Sequence, residues 1–519
     1  MGKYVLAIDQ GTTGTTALLI DRNGGVRARG YAELQQHFPQ PGWVEHDGDQ
    51  IWTSVLRAVA AALAAASVDG RAVAAIGITN QRETTLLWNR ATGRPLARAI
   101  VWQDRRTADR CRMLREQGLG PGVARRTGLV LDPYFSATKV EWLLRNVRGA
   151  RAAARAGRIA FGTVDSWLLF KLTGGRVHAT DPTNASRTLL YDIGKRRWDD
   201  DLLEIFGVPR AVLPQVLPSS GLFGETAGDA PLPPGIPIAG IAGDQQAALF
   251  GQGCVAPGQS KNTYGTGCFF LLHTGARRVT SRAGLVTTLA CGPRGEPAHA
   301  LEGSVFIAGA AIQWLRDGLQ ILNHAPESEA MATSVPDAGG VVMVPAFAGL
   351  GAPYWRPDVR GALFGLTRGT TRAHIARAAL ESLAFQTRDL IEAIGETAKV
   401  RELRVDGGAA ANDFLMQYQS DLLGIRVLRP KVIETTALGA GLLAGMATGF
   451  WASQRDLDRA RKIERAFSPK RSKRWRDAEH ARWTQAVTAL LAQGEPGASP
   501  SRAKARRANP SGRSRAPGR

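Results

Sequence analysis

The apolar and polar positions of the chain alternate in blocks that are typical of an α/β protein. Apolar residues 4–8 predict a first strand, polar residues 9–16 a turn, and apolar residues 17–20 a second strand. The pattern then predicts a helix over 51–66 and a buried strand over 72–79. Alternating strands and helices favour an α/β fold, and the two closely spaced opening strands predict a mixed sheet.

The second half of the chain repeats this opening pattern. Gly265 and Thr266 precede an apolar strand, as Gly11 and Thr12 do near the start. Because such tight turns punctuate strands, we predict two similar halves that each open with a hairpin, with the break between them in 245–258.

Three further elements are predicted in the second half. Helical periodicity covers 374–395, a strand covers 401–408, and a helix resumes over 409–423. Between Glu434 and Arg455 lies an uncharged stretch that is about long enough to span a bilayer. Its many Gly, Thr, Ser and Gln residues lower its hydrophobicity, so we predict a closely packed buried helix and no membrane span.

Length and cysteine content exclude several classes of protein. With 519 residues, the chain is long enough for about two to four domains, each with its own core. Four cysteines without a CxxC pair exclude a small disulfide scaffold and a zinc ribbon. We therefore predict buried, reduced thiols in a cytoplasmic protein at Cys111, Cys254, Cys268 and Cys291.

The positive charge is concentrated at the C-terminus. The formal net charge is +21, and residues 496–519 carry seven Lys or Arg and no acidic residue. Because this segment lacks apolar periodicity, we predict a disordered basic tail over 495–519. A solvated extension is favoured over a segment that binds nucleic acid or an anionic membrane. Residues 1–10 lead directly into a strand and contain no signal peptide.

Two glycine-containing turns have the composition of phosphate-binding turns. In the first, glycine backbone and the hydroxyls of Thr12 and Thr13 can donate to an anion, while Asp9 can hold a divalent cation. In the second, residues 405–412 offer backbone N–H groups at the start of a helix. The alternatives are an ordinary polar hairpin and close packing of a helix on a strand.

A third polar segment follows an apolar strand. Asp244 can accept a proton from a hydroxyl and Gln245 can orient a substrate, although Asp244 also suits a helix N-cap. Anion donors, a cation ligand and a base together indicate phosphoryl transfer. An actin-like or chaperone-like ATPase would need the same groups, so these features leave both classes open.

Longer segments identify a family. The chain resembles the FGGY carbohydrate kinases, and among them the glycerol kinases, from residue 4 to about 485. The resemblance rests on DQGTT (9–13), PGWVEHD (41–47), GITNQRETT (77–85), FGTVDSWL (161–168), TDPTNASRT (180–188), GIAGDQQAALFGQ (240–252), KNTYGTGCF (261–269), FAGLGAPYW (347–355), FGLTRG (364–369) and VDGG (405–408). The stretch NQRETT favours glycerol kinases over the pentulose and gluconate kinases.

The resemblance implies two actin-like (ribonuclease H-like) ATPase domains, with mixed sheets flanked by helices and the active site in the interdomain cleft. Residues 1–252 would hold the polyol and the first phosphate hairpin, and residues 253–490 the nucleotide. The implied reaction converts ATP and glycerol to ADP and sn-glycerol 3-phosphate with Mg²⁺, the first step of glycerol catabolism. The family also implies a homo-oligomer, either a dimer or a tetramer.

Matching positions imply a set of site residues, with Asp244 as the general base. The glycerol-binding positions are Arg82, Glu83, Trp102, Tyr134, Asp244, Gln245 and Phe269. The nucleotide-binding positions are Thr12, Thr13, Gly14, Thr266, Gly309, Gln313, Gly408 and Asn412. The metal position is Asp9.

The chain departs from relatives at two places. Thr16 replaces an arginine that approaches the nucleotide phosphates in bacterial relatives, which puts the affinity for ATP in question. Residues 232–237 lack the arginine through which fructose 1,6-bisphosphate inhibits some enteric relatives. We therefore expect no such inhibition.

Overall fold

Two mixed β-sheets organise the protein, one formed by each half of the sequence. The computed structural model describes residues 2–281, 284–356, 358–395 and 398–493. The tail expected over 495–519 lies outside the described residues.

The strands of the described residues form two large sheets and several two-stranded pairs. They are β1 (Tyr4–Gln10), β2 (Gly14–Ile20), β3 (Val26–Glu33), β4 (Glu45–His46), β5 (Val73–Asn80), β6 (Leu86–Asn89), β7 (Ala99–Ile100), β8 (Ile159–Gly162), β9 (Ala179–Thr180), β10 (Tyr191–Asp192), β11 (Arg197–Trp198), β12 (Gln215–Val216), β13 (Ser220–Glu225), β14 (Pro237–Gly243), β15 (Gln259–Tyr264), β16 (Cys268–Gly275), β17 (Val286–Cys291), β18 (Pro297–Val305), β19 (Val342–Val344), β20 (Ala362–Phe364), β21 (Glu402–Asp406), β22 (Arg426–Pro430) and β23 (Ile463–Phe467).

The helices flank these sheets. They are α1 (Gly48–Ala65), α2 (Ala108–Glu116), α3 (Gly120–Thr127), α4 (Ser136–Asn146), α5 (Ala150–Arg155), α6 (Val164–Leu172), α7 (Pro182–Ala185), α8 (Asp200–Phe206), α9 (Asp244–Gly251), α10 (Gly309–Asp317), α11 (Glu327–Thr333), α12 (Arg372–Ile394), α13 (Asp413–Leu423), α14 (Thr435–Ala447), α15 (Gln454–Ala460) and α16 (Lys473–Gln493).

The two large sheets share one topology. The first has the order β3-β2-β1-β5-β14-β13, in which β5 is parallel to both β1 and β14 and the remaining pairs are antiparallel. The second has the order β18-β16-β15-β21-β22-β23 with the same succession of parallel and antiparallel pairs, and β17 extends it beyond β18. The repeated hairpin predicted from Gly and Thr is therefore part of a repeated sheet.

The predicted elements agree with the structure to within a few residues. The helix expected over 51–66 is α1, the strand over 72–79 is β5, and the helix over 374–395 is α12. The opening hairpin is longer than expected, because β1 and β2 pair as far as Gln10 and Thr15. Backbone pairing thus extends into the polar segment and leaves only a short turn.

The uncharged stretch in the second half forms α14, which packs against β5, β14 and α9 of the first half. Gly77 and Gly240 allow this approach: a Cβ at either would lie 2.1 Å or 2.5 Å from α14 backbone. Most of the helix is buried, as predicted. In the described ranges, every helix is too short or too polar to cross a bilayer.

All four cysteines are buried and free, as predicted. Burial raises the pKa of Cys111, Cys254 and Cys291 to about 12, and it raises the pKa of Cys268 as well. The thiols are therefore packing groups that stay protonated at neutral pH.

Candidate active site

Three parallel strands of the first sheet end at one edge and present polar residues there. In the pairing register, Gln10 of β1 and Gly243 of β14 both lie beside Asn80 of β5. The chain continues from β5 into Arg82 and from β14 into Asp244. Because carboxyl ends of parallel strands form the usual crevice for ligands in such sheets, this edge is a candidate substrate site.

Arg82 is buried and lies at the centre of a network of charges. Its Nη1 and Nη2 donate to the two carboxylate oxygens of Glu302 at 2.7 Å and 3.0 Å. Its Nε lies 3.0 Å from Oδ1 of Asp244 as an ion pair, while the Nε–H has no hydrogen-bond partner within the described residues. The N–H is therefore a buried donor whose hydrogen-bonding capacity the neighbouring described residues leave unused.

Glu83 has a strained backbone at the same place, with a φ of 62°. Its carbonyl oxygen accepts hydrogen bonds from Ser136 Oγ and Lys139 Nζ, each at 3.2 Å, and its carboxylate pairs with Arg187 Nε at 2.6 Å. Surrounding contacts therefore hold the strained residue. Burial raises the pKa of Glu83, although Arg82 and Arg187 oppose the shift.

Asp244 is the first residue of α9, and Gly243 is the N-cap. The N-cap alternative for Asp244 is therefore wrong. Its Oδ1 accepts a hydrogen bond from the backbone N–H of Gln245, the next residue, at 2.7 Å. The Asp244 side chain is 30% exposed and therefore accessible from solvent. Burial, with a smaller contribution from Asp244, raises the pKa of Asp9 to about 7.

Aromatic rings form a wall beside these charges. The ring of Trp102 packs edge-on against Tyr134 and Phe269, with centroids 5.6 Å and 6.5 Å away. Phe269 belongs to β16 of the second sheet, so the wall joins the two halves. Trp102 Nε1 also donates to Thr12 Oγ1 at 2.9 Å and thereby connects the wall to the first hairpin.

The first hairpin turn is tight. Gly11 N donates to Gly14 O at 2.9 Å, and Thr13 is exposed at the tip. Gly14 has no room for a side chain, because a Cβ would lie 2.7 Å from the backbone carbonyl oxygen of Ala32. The turn therefore presents backbone and hydroxyl donors in a compact form.

A second cavity of about 400 Å³ lies at the corresponding edge of the second sheet. It is formed by the β15–β16 turn, α10, and the segment after β21. All five nucleotide residues expected from the second half line it: Thr266, Gly309, Gln313, Gly408 and Asn412. Three larger cavities in the described part of the chain contain none of the residues expected for either substrate. The residues expected to bind the nucleotide thus lie together around one cavity, which its volume alone would not have distinguished from the others.

Three buried residues near Arg82, Glu83 and Asp244 were not expected from the sequence. Arg187 and Lys261 lie in the family segments 180–188 and 261–269. Glu302 is a buried acidic residue in strand β18. Lys261 Nζ donates to Thr263 Oγ1 at 2.7 Å and also to Gln245 Oε1, so it ties the second sheet to the start of α9. Burial lowers the pKa of Lys261 to about 8. A charged residue inside a strand pattern was the available signal.

The site has few groups for a metal ion. Among the described residues, no three carboxylate, imidazole or thiol side chains come together as a metal cage. Asp9 and Asp244 are two carboxylates close enough to influence each other. Mg²⁺ keeps several waters and is held by one or two carboxylates together with phosphate oxygens, so this donor set fits Mg²⁺ bound to a nucleotide.

Comparisons with known proteins agree with this architecture. The sequence pattern of the "FGGY family of carbohydrate kinases, N-terminal domain" matches residues 4–251, and that of the C-terminal domain matches residues 260–448. Glycerol kinase of Stenotrophomonas maltophilia is 54% identical over 492 residues, covering 94% of this chain and 99% of the relative. Glycerol kinase of Symbiobacterium thermophilum is 56% identical over 486 residues, covering 93% and 97%.

Solved structures have the same fold. The structure of Plasmodium falciparum glycerol kinase with ADP matches with a TM-score of 0.87 at 35% identity, covering 94% of this chain and 98% of that one. Gluconate kinase from Lactobacillus acidophilus matches with a TM-score of 0.83 at 20% identity, covering 95% and 99%, and supports the fold alone. The expected class of two actin-like α/β domains is thereby confirmed. Both domain patterns occur in order and close relatives align over almost their whole length, so the chain belongs to the FGGY family of carbohydrate kinases.

Proposed function

We propose that this protein transfers the γ-phosphoryl group of ATP to glycerol, giving ADP and sn-glycerol 3-phosphate. The observation that carries the proposal is the convergence of Arg82, Glu83 and Asp244 at one sheet edge, beside an aromatic wall and a glycine-containing hairpin. Relatives named glycerol kinase at 54–56% identity support the choice of acceptor.

The polyol site offers both donors and acceptors in a small space. Glycerol has three hydroxyls, and Arg82 Nε–H can donate to one while the carboxylate of Glu83 accepts from another. Tyr134 and Gln245 lie beside them. The wall of Trp102 and Phe269 packs on the carbon chain and limits the size of the substrate.

The nucleotide lies between the two halves in this proposal. The cavity of the second sheet takes adenine and ribose through Gly408, Asn412 and Gln313. The phosphates lie between the hairpin of Thr12 and Thr13 and the turn of Thr266. Asp9, with Asp244 nearby, would hold Mg²⁺, and a bound Mg²⁺ would offset the charge of the phosphates.

Asp244 acts as the general base. The terminal glycerol oxygen attacks the γ-phosphorus, the bond from that phosphorus to the ADP oxygen breaks, and the hydroxyl proton passes to the Asp244 carboxylate. Arg82 orients this carboxylate through their 3.0 Å ion pair. The aromatic wall excludes water, which would otherwise compete with glycerol for the phosphoryl group.

The deciding experiment measures ADP release from ATP and Mg²⁺ with glycerol, D-xylulose, D-gluconate or no acceptor. Release that depends strictly on glycerol supports the proposal. Equal release without an acceptor would identify an ATPase, and preference for a sugar would identify another kinase of this fold.

A variant tests the base directly. Asp244→Asn keeps the size of the side chain and removes the proton acceptor, so we expect kcat to fall by about 10²–10⁴-fold while nucleotide binding is retained. Asp109→Asn, on exposed α2, is the matched control. Turnover near the wild-type rate in Asp244→Asn would reject this residue as the base.

The family resemblance also supports a cytoplasmic homo-oligomer, a dimer or a tetramer. Light scattering on the purified protein measures its mass in solution. A monomeric mass would remove the oligomer from the proposal without affecting the reaction.

A further inference from the structure

Glu302 holds the central arginine of the polyol site from the other half of the molecule. It lies on β18, where the register pairs it with Leu271 of β16 and Val286 of β17. Its side chain is fully buried, and its two carboxylate oxygens accept hydrogen bonds from Nη1 and Nη2 of Arg82 in a bidentate contact. Such paired hydrogen bonds fix the plane and the direction of a guanidinium group.

This contact fixes the orientation of the Arg82 guanidinium group beside Asp244. Glu302 occupies one donor on each Nη group, and Gln246 Oε1 takes a second hydrogen bond from Nη1 at 3.1 Å. The Nε–H then remains without a hydrogen-bond partner among the described residues, on the side of Asp244. The direction of this donor therefore depends on Glu302, a residue of the second sheet.

A second arginine connects the same carboxylate to the acceptor of the site. Arg187 Nη2 donates to Glu302 Oε1 at 2.9 Å, and its Nε donates to Glu83 Oε1 at 2.6 Å. Both arginines and both glutamates are buried. Burial alone would raise the pKa of Glu302, but Arg187 and Arg82 outweigh it and lower the pKa to about 2, so the anchor stays charged.

We propose that Glu302 is a positioning residue that acts through Arg82 to set how strictly the enzyme requires each hydroxyl of its polyol. The inference rests on the proposed function and extends it to the specificity of the site. A site built to bind a hydroxyl discriminates against analogues that lack it, because its polar groups are then left unpaired. That discrimination requires a rigid donor, and Glu302 supplies the rigidity.

The test compares glycerol with propane-1,2-diol and propane-1,3-diol in the wild type and in Glu302→Gln. We expect the preference for glycerol over at least one diol, as a ratio of kcat/KM values, to fall tenfold or more in the variant. Most of the change should lie in KM for glycerol, with KM for ATP unchanged. Glu296→Gln, an exposed residue in the turn before β18, is the matched control and should keep both ratios.

A merely structural role predicts a different result. In that case kcat/KM for all three substrates falls by the same factor, and unchanged ratios in Glu302→Gln would overturn the inference.

If Glu302→Gln does not fold, the variant Arg187→Lys is the test, since lysine keeps the charge but cannot bridge Glu83 and Glu302 with one planar group. We expect at least a fivefold fall in the same ratio, and an unchanged ratio would again overturn the inference. A wild-type enzyme that does not use glycerol would instead refute the proposed function.

Discussion

Gly439 lies where α14 crosses α9, and its replacement by alanine tests how the fold positions Asp244, the proposed base. A Cβ at this residue would lie 1.9 Å from the carbonyl oxygen of Ala247 and 2.6 Å from its carbonyl carbon. Ordinary van der Waals contact begins at 3.4 Å, so the two helices must separate by about 1.5 Å, the difference between 3.4 Å and 1.9 Å. The neighbouring atoms are backbone and cannot turn aside.

That separation reaches the active site through a short helix. α9 begins at Asp244, only three residues before Ala247, so a shift of the helix moves the carboxylate. A misplacement of about 1 Å in a catalytic group can cost about 10²-fold in rate. We therefore expect Gly439→Ala to lower kcat by roughly 10²-fold.

The stability of the protein should fall as well. Alanine is a better helix former than glycine by about 1 kcal/mol, which would favour the variant if there were room for the methyl group. Inserting carbon atoms into a packed interior costs about 1–3 kcal/mol, so we expect the variant to have the lower free energy of unfolding.

The assay measures kcat and KM for glycerol together with the melting temperature. Gly120→Ala is the matched control, because Gly120 begins α3 and a Cβ there meets no atom within 4 Å. The control should match the wild type in rate and melting temperature. If Gly439→Ala keeps kcat within twofold and melts no earlier, the proposed transmission from α14 to Asp244 is wrong.

Three further predictions concern other parts of the molecule. Thr16 lies opposite Asp9 in the first hairpin. Thr16→Arg should lower KM for ATP roughly tenfold at saturating glycerol, because arginine adds a charged hydrogen-bond donor for the phosphates. An unchanged KM for ATP would contradict this prediction. Because all four thiols are buried, a thiol reagent at pH 8 should label none of them in the native protein and all four in denaturant, so rapid native labelling would contradict the packing. Burial lowers the pKa of His178 from its usual 6.5 to about 4. Between these two pH values the histidine binds a proton in the unfolded chain but not in the folded protein. The free energy of unfolding therefore falls as the pH falls, by up to about 1.4 kcal/mol per pH unit. His178→Phe should flatten this slope in melting temperatures measured from pH 6.5 to 4.5, and an unaltered slope would assign it to other groups.

Local patterns were sufficient for most of the secondary structure. The alternation of apolar segments with Gly and Thr turns predicted both hairpins, because turn chemistry and burial are written into neighbouring residues. The uncharged stretch that became α14 was correctly expected to be buried. Its location was not predictable, since nothing local says that a helix from residue 435 onward packs on strands near residues 77 and 240.

The residues of the candidate site could be expected from the sequence where they lie in a segment that resembles the family. Arg82, Glu83 and Asp244 were expected from such segments, and the structure brings them together. Glu302 was missed because its role depends on contact with an arginine 220 residues away. Long-range pairing of charges leaves no periodic signal in the sequence, whereas a lone acid in a buried strand gives only a hint that a partner exists.

The repeated sheet explains how one topology provides two different sites. The central strands β5 and β21 occupy equivalent places, each parallel to the first strand of its hairpin. β5 leads into Arg82 and Glu83, whose charges suit hydroxyls, while β21 leads into Gly407 and Gly408, and Gly408 lines the cavity of the second sheet. Gly407 has a φ of 83°, and a Cβ there would lie 2.3 Å from Tyr264 O, so alanine would both strain the backbone and crowd the second hairpin. Equivalent strands of the two sheets therefore lead into different chemistry, charged side chains after β5 and glycines after β21, so the strand ends distinguish the two candidate sites.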